Sequence, residues 1–367
     1  MILIEAINGL LTSPAANAAL WGCSSSFALC ILLVLTGRWH GVWTMDCVVG
    51  IQKFHTTLTP RVGGIPIVLG LVVAWGRAPV EIKNMITPIL LAGMPAFLFG
   101  LAEDITKRVG VMPRLLATMV SGLLAWWITD YSLSRVDLLG AEFFLKFTLV
   151  SVIFTSFAIG GVANAINIID GFNGLAGIMS SLAFAGYAMI AWQAGDHNLA
   201  GVSLIMAACV WGFFWVNWPF GKIFLGDGGS YFVGFALAFV AVMLIERNPS
   251  VSVFAVLLVC AYPVIEVFFT IYRRKIKKLK PGHPDRLHFH SLLKQRYIRR
   301  WLMGSAGNFR NSFTGLLVGS ITLAPVVMAN LFYTNAWLSA AACAGLVLGY
   351  AGVYGRMVIT GAHRLSS

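Results

Sequence analysis

Residues 164–177 read NAINIIDGFNGLAG, closing one apolar run at 143–163 and leading into another at 174–193. Each run is long enough to cross a bilayer, so the stretch reads as a polar loop at a membrane face. Asn164, Asn167, Asp170 and Asn173 recur every three residues. That spacing puts side chains on roughly one face of a helical turn. Carboxylate and amide oxygens gathered there suit a hard cation such as Mg²⁺. Gly171, Gly174 and Gly177 allow tight turns and close backbone approach beside them.

The rest of the chain extends this pattern. It has 367 residues, 58% of them hydrophobic and only 11% charged, with mean hydropathy +0.82. A soluble domain carries about 25% charged residues, so a soluble enzyme or scaffold is excluded. The expectation is an all-α polytopic membrane protein, a single integral-membrane domain over 1–367. Apolar runs fall at about 18–36, 62–76, 85–102, 111–130, 143–163, 174–193, 199–218, 229–245, 250–272, 313–332 and 337–355. This predicts ten or eleven transmembrane helices, the second of them short. The start of the chain lacks the basic flank and cleavage site of a signal peptide. The six cysteines have no metal-ligand spacing and read as small buried hydrophobes.

The basic residues orient the spans. Arg38, Lys53, Arg61, Lys107, Arg108, Arg114, Lys222, twelve between Arg273 and Arg310, Arg356 and Arg364 fall on one side. Arg77, Lys83, Arg135, Lys146 and Arg247 fall on the other. The excess marks the cytoplasmic side, which predicts a periplasmic N-terminus and a cytoplasmic C-terminus. The net charge of +12 then fits anionic lipid and a polyanionic substrate rather than nucleic acid.

The inner loops carry the chemistry-bearing residues. Arg61 precedes Gly63 and Gly64, either as ordinary positive charge on the inner side or as a group to meet phosphate. Glu103 and Asp104 are adjacent acids at a span end, fit for a general base or metal ligand, or for pairing with Lys107 and Arg108. Asp227 lies among Gly226, Gly228 and Gly229, as a turn residue or a second cation ligand. Phe224 nearby could stack on a base. In PDRLHFHS, Arg286, His288 and His290 could bind a pyrophosphate. Glu266 lies inside the ninth apolar run, where an acid is costly.

Together these motifs resemble those of the polyprenyl-phosphate N-acetylhexosamine-1-phosphate transferases. NAINIIDGFNGLAG is similar to that family's NxxNxxDGxxGLA signature, and KIFLGDGGS to its FxGDxGS signature. PRVGG, EDITK and PDRLHFHS fall at its other inner-loop motifs, in order, with the resemblance strongest over 38–293. The PRVGG and PDRxHxH forms are most similar to the O-antigen and enterobacterial-common-antigen branch.

The resemblance implies a multi-pass protein of the bacterial inner membrane with its active site on the cytoplasmic face. It implies transfer of a HexNAc-1-phosphate from a UDP-N-acetylhexosamine to undecaprenyl phosphate, releasing UMP and starting a cell-surface glycan. Mg²⁺, or Mn²⁺, would be held by Asp227 and Asn167 with Asp170. Asp104, Asp170, Glu103 and His288 would act in catalysis. Arg61, Asn164, Asn173, Asn217, Phe224, Arg286 and His290 would bind substrates. A homodimer is compatible with the family. Two departures stand out: Glu103 where the family usually has Asp, and Ser291 where it often has a further His. Two other classes stay open at this point: a membrane transporter, suggested by the many spans and Glu266, and an inactive nucleotide-sugar-binding homologue.

Overall fold

The computed structural model describes residues 2–46, 58–138, 140–276 and 287–362. The first part of the chain forms α1 (Ile2–Thr12), α2 (Pro14–Leu35), α3 (Gly37–Thr44), α4 (Gly64–Arg77), α5 (Val80–Thr106) and α6 (Val111–Thr129). Then come α7 (Ala141–Leu145), α8 (Thr148–Ile169), α9 (Leu175–Gln193), α10 (His197–Asn217) and α11 (Gly226–Arg247). The last part holds α12 (Val253–Val259), α13 (Ala261–Ile276), α14 (Phe289–Leu293), a π-helical turn (Lys294–Ile298), α15 (Arg299–Trp301), α16 (Gly307–Ile321), α17 (Leu323–Phe332) and α18 (Ala336–Ala362). A minimal antiparallel pair, β1 (Met45–Asp46) with β2 (Thr59–Pro60), is the one departure from an all-α fold among the described residues.

Nine helical segments among the described residues are long and apolar enough to span a membrane, with α16 and α17 acting as one of them. The protein is therefore a multi-pass, all-α membrane protein. Each expected run falls on helix, but two differ from continuous spans. The second is the 14-residue α4, shorter than a bilayer is thick. The run at 250–272 is not one straight helix: α12 and α13 meet at an angle of 83°. Pro263 supplies the physical reason. It has no N–H for the carbonyl of Val259, and its ring crowds that carbonyl, so α12 cannot continue into α13.

The core is organised around α11. Its sequence is apolar on every side, and a helix without a polar face is stable only when surrounded. Tyr231, Phe232, Phe235 and Phe239 are fully buried in it, and it packs against α4, α5, α6, α8, α9 and α10. Outer helices keep large apolar side chains exposed, as a lipid solvent requires. Trp127, Leu149, Trp337 and Leu348 are examples.

Because the spans alternate in direction, the C-terminal ends of α5, α8 and α10 share one face with the N-terminal ends of α4, α6, α9 and α11. The opposite face is tied by its own polar contacts. Arg135 donates to the carbonyls of Ile245, Asn248 and Val251, and Asp196 makes a two-pronged ion pair with Arg247 at 2.6 and 3.0 Å.

Candidate active site

The N-terminal turn of α11 is the point on which the acids and bases converge. Gly226 opens it with φ +76°, and a Cβ there would strike the carbonyl of Arg61 and, at 2.6 Å, Asp104 Oδ2. Only glycine combines that backbone with that space. The turn then presents its free N–H groups to Asp104, which is fully buried: Asp227 N–H donates to Oδ1 at 2.9 Å and Gly228 N–H to Oδ2 at 2.8 Å. A carboxylate from the end of α5 thus closes the start of α11, where the helix dipole favours negative charge.

Asp227 projects from the same turn and is nearly buried. Its Oδ1 accepts from Arg61 at 2.6 Å and from Asn167 Nδ2 at 2.8 Å, and Arg114 pairs with its Oδ2. Asn167 also donates to Ser230 at 2.9 Å. Arg61 reaches Asp104 as well, at 3.2 Å. Its backbone is fixed by a hydrogen bond to Thr44, beside the β1–β2 pair.

Asp170 caps α8 and accepts from the Gly226 N–H. Burial pushes its carboxyl up to about 8. Arg61 opposes that shift, the charge of Asp104 adds to it, and the Gly226 hydrogen bond opposes it.

Some expected residues meet here and others do not. Asp104, Asp170, Asp227, Asn167 and Arg61 converge. The face expected across Asn164, Asn167, Asp170 and Asn173 does not persist, because α8 ends at Ile169 and Gly174, at φ +83°, turns the chain into α9. Asn164 stays on α8 near Tyr231, 3.4 Å from its hydroxyl. Asn173 is drawn away to Ser312 of α16 at 3.0 Å. Asn217 is buried and used at both ends of its amide, accepting from Gly174 N–H and donating to Ile223 O at 2.7 Å. Phe224 is half-buried and linked through its backbone to Pro60 and Gly63. Glu103 diverges from Asp104 and accepts from the Val109 N–H at 2.7 Å, closing its own loop. Arg286 lies outside the described residues.

The histidines form a second group. His288 and His290 are buried and stack in parallel planes, 5.4 Å apart. Their Nδ1 atoms lie 2.9 Å from Glu266 Oε1 and 3.0 Å from Tyr262 Oη, respectively. A Cβ on Gly171 would lie 3.9 Å from His290 Nε2, so this group borders the loop that follows Asp170. Phe172 of that loop packs edge-on against His290 and lies beneath the Lys294 ammonium.

Residues not anticipated as site members take part. Arg114 looked like ordinary inner-face charge, yet it is buried against Asp227. An arginine one turn inside an otherwise apolar helix is the signal that could have found it. Asp46 is buried 4.0 Å from Arg61, and nothing in its surroundings in sequence marks it.

The side chains here whose oxygens could serve as Mg²⁺ ligands are those of Asp227, Asn167 and Asp170. Among the described residues no three or more His, Cys, Asp or Glu gather as a cage. Mg²⁺ rarely needs one, usually taking one or two protein groups together with substrate phosphates and water. Asp227 and Asn167 are hard oxygen donors in contact. Both Asp227 oxygens are engaged by Arg61, Arg114 and the Asn167 amide nitrogen, so a bound cation would take the place of some of these contacts.

The sequence pattern of glycosyl transferase family 4 matches residues 86–245, which run from α5 to α11. Relatives extend the match. A probable undecaprenyl-phosphate N-acetylglucosaminyl 1-phosphate transferase of Bacillus subtilis (strain 168) is 26% identical over 245 residues, covering 66% of this chain and 67% of its own. The undecaprenyl-phosphate alpha-N-acetylglucosaminyl 1-phosphate transferase of Escherichia coli O157:H7 is 27% identical over 247 residues, with the same coverage. Its namesake in Yersinia pestis is 25% identical over 249 residues.

Proposed function

We propose that the chain is a member of glycosyl transferase family 4, whose pattern it carries over residues 86–245, and that it transfers a HexNAc-1-phosphate from a UDP-N-acetylhexosamine to undecaprenyl phosphate. The observation that carries this reading is the turn at Gly226–Gly228. There Asp104, Asp170, Asp227 and Asn167 from three separate helices meet Arg61 and Arg114 at one membrane face. The names of the relatives support the acceptor and an N-acetylglucosaminyl donor.

In this reading an oxygen of the lipid phosphate attacks the β-phosphorus of the nucleotide sugar, and the bond to UMP breaks. One phosphoanhydride replaces another, so the enzyme mainly positions two anions and offsets their repulsion. Mg²⁺ held by Asp227 and Asn167, with Asp170 beside them, would stabilise charge on the phosphate oxygens. Arg61 and Arg114 already hold Asp227 and add positive charge where phosphates would enter. Asp104 supports the turn from beneath, since both of its oxygens accept helix N–H groups; this favours a supporting role over that of a base. The lipid phosphate is ionised near neutrality and needs no strong base. The histidine pair and Lys294 border the same loop on its other side and would meet the diphosphate or sugar. Asn217 would shape the nucleotide pocket by holding the loops at Gly174 and Gly221, with the Asn173 side chain packed against Gly221.

The basic excess supports placing this face in the cytoplasm of a bacterial inner membrane, with the product starting a cell-surface glycan. The test is UMP release by purified protein supplied with Mg²⁺, undecaprenyl phosphate and a panel of UDP-HexNAcs led by UDP-GlcNAc. Wild-type release with one donor, lost with Asp227→Ala, is expected. No release from any donor would overturn the reading.

A further inference from the structure

We propose that Glu266 is a positioning residue for His288: its carboxylate holds the His288 proton on Nδ1 and turns the opposite, Nε2 edge of the imidazole away from α13, beside the stacked His290, whose own Nε2 borders Gly171. The consequence for catalysis rests on the transferase reading above; the placement of the proton does not.

The geometry is that of a matched face. Tyr262, Glu266, Thr270 and Arg273 follow one another at four- and three-residue steps along α13, so they lie on one side of it. Each meets the antiparallel segment 287–290 in turn. Arg273 donates to the Leu287 carbonyl at 2.5 Å, and Thr270 lies 3.4 Å from His288 Nδ1. Glu266 takes His288 Nδ1 at 2.9 Å and the Phe289 N–H at 3.3 Å. Tyr262 meets His290 Nδ1 at 3.0 Å. From the far end of the chain, α18 closes the arrangement: Tyr350 donates to Glu266 Oε2 at 2.8 Å and Tyr354 to the Leu287 carbonyl at 2.9 Å.

A carboxylate only accepts hydrogen bonds, so the facing nitrogen must carry the proton. The Nε2 edge of His288 is thereby left to point away from α13, and His290 Nδ1 likewise faces α13 through Tyr262. For His290 that direction leads to Gly171, next to Asp170. Glu266 is fully buried, and a carboxylate in that setting is costly unless it is paired and hydrogen-bonded. A helix that only needed to pack would place an apolar residue there. An acid met by three donors from two segments fixes one imidazole edge instead. This also gives Glu266 an occupation other than transport.

Among the described residues, the groups facing His288 are Glu266 and Thr270 of α13, the stacked His290 with Tyr262 behind it, Arg273, and Tyr350 and Tyr354 of α18. Asp170 and Lys294 lie across the loop. Among these, Glu266 is the negative charge in direct contact with its ring. Removing that charge disfavours the imidazolium, whereas removing a competing donor from Glu266 favours it.

The experiment uses full-length protein labelled with ¹⁵N-histidine in nanodiscs, with His288→Asn identifying the resonance. The titration midpoint of His288 is expected to fall by about one unit or more in Glu266→Gln, and to rise in Tyr350→Phe, where the carboxylate loses a competing donor. The second variant keeps the test open if the first does not fold. In the wild type the Nδ1 resonance is expected to stay in the protonated range throughout. A midpoint unmoved in both variants, or a wild-type proton on Nε2, would overturn the proposal. The titration needs no substrate, so absence of UMP release by the wild type would count against the transferase reading alone. Where release is observed, the alkaline limb of its pH profile is expected to move to lower pH in Glu266→Gln.

Discussion

Asp104 and Asp227 lie one hydrogen bond apart but face different partners, and single substitutions separate their roles. Asp104 is bonded to two helix N–H groups and to Arg61. In Asp104→Asn an amide NH₂ must oppose one of those donors. A buried donor left unpaired costs about 1–3 kcal/mol, so this variant is expected to melt several degrees lower as well as turn over slowly. A variant as stable as wild type yet inactive would instead mark Asp104 as a base or nucleophile. Lys294 tests charge burial. Its ammonium is nearly buried, and desolvation, then the charges of Arg299 and Arg310, lowers its pKa to about 8. The unfolded chain therefore binds more protons between that value and the ordinary lysine value, and stability from this group rises with pH across the interval. Lys294→Met is expected to raise the melting temperature by a few degrees at pH 7 and to change it little at pH 10. A stabilisation that grew with pH would reverse the sign and refute the argument. Neither residue was legible in this detail. Asp104 could be read as a candidate acid at a span end, but what its oxygens bond depends on where α11 begins, some 120 residues later in the chain.

At the scale of the element, what could be read were the spans and the sites at their ends; what could not were the distances between helices and the bend at Cys260. Composition reports whether a segment is apolar, not which neighbour it meets. The bend had a signal, Pro263 with Glu266 one turn further on, but hydropathy averages over both. Close approach had a signal too, in the glycines. Gly100 of α5 faces the start of α11, and a Cβ there would lie 2.5 Å from the Asp227 carbonyl oxygen and 2.6 Å from Gly228 N. Gly100→Val is therefore expected to push α5 from α11 and carry Asp104 away from the N–H groups that it caps. Turnover should fall at least about a hundredfold, since an ångström of misplacement near the reacting groups can cost that much. The same substitution at Gly76, where a Cβ would meet nothing within 4 Å, should leave turnover near wild type. Equal losses at the two positions would show that helix propensity rather than close packing sets the effect.

At the scale of the whole molecule, alternation along the chain brings Arg61, Asp104, Arg114, Asp170 and Asp227 to one face, and Arg135, Asp137, Asp196, Glu246 and Arg247 to the other. Alternating the spans along the sequence gives the same division at these positions, and since each set holds two arginines and three acids, it is the excess of basic residues elsewhere in the loops that singles out one face as cytoplasmic. Which face meets the cytoplasm follows from charge alone, so it is the property that an accessibility measurement tests most directly. Asn198, beside Asp196, and Lys222, in the loop before α11, are both exposed and lie on opposite faces. In a background with the six cysteines replaced, Asn198→Cys should react with a membrane-impermeant maleimide on intact cells whose outer membrane has been opened. Lys222→Cys should react only after the inner membrane is permeabilised. The reverse pattern would put the acid and arginine cluster outside the cell's supply of nucleotide sugar, and with it the proposed donor would be lost. Labelling of both positions without permeabilisation would mean that α10, which separates them, does not cross the membrane, against the length and apolar character of that helix.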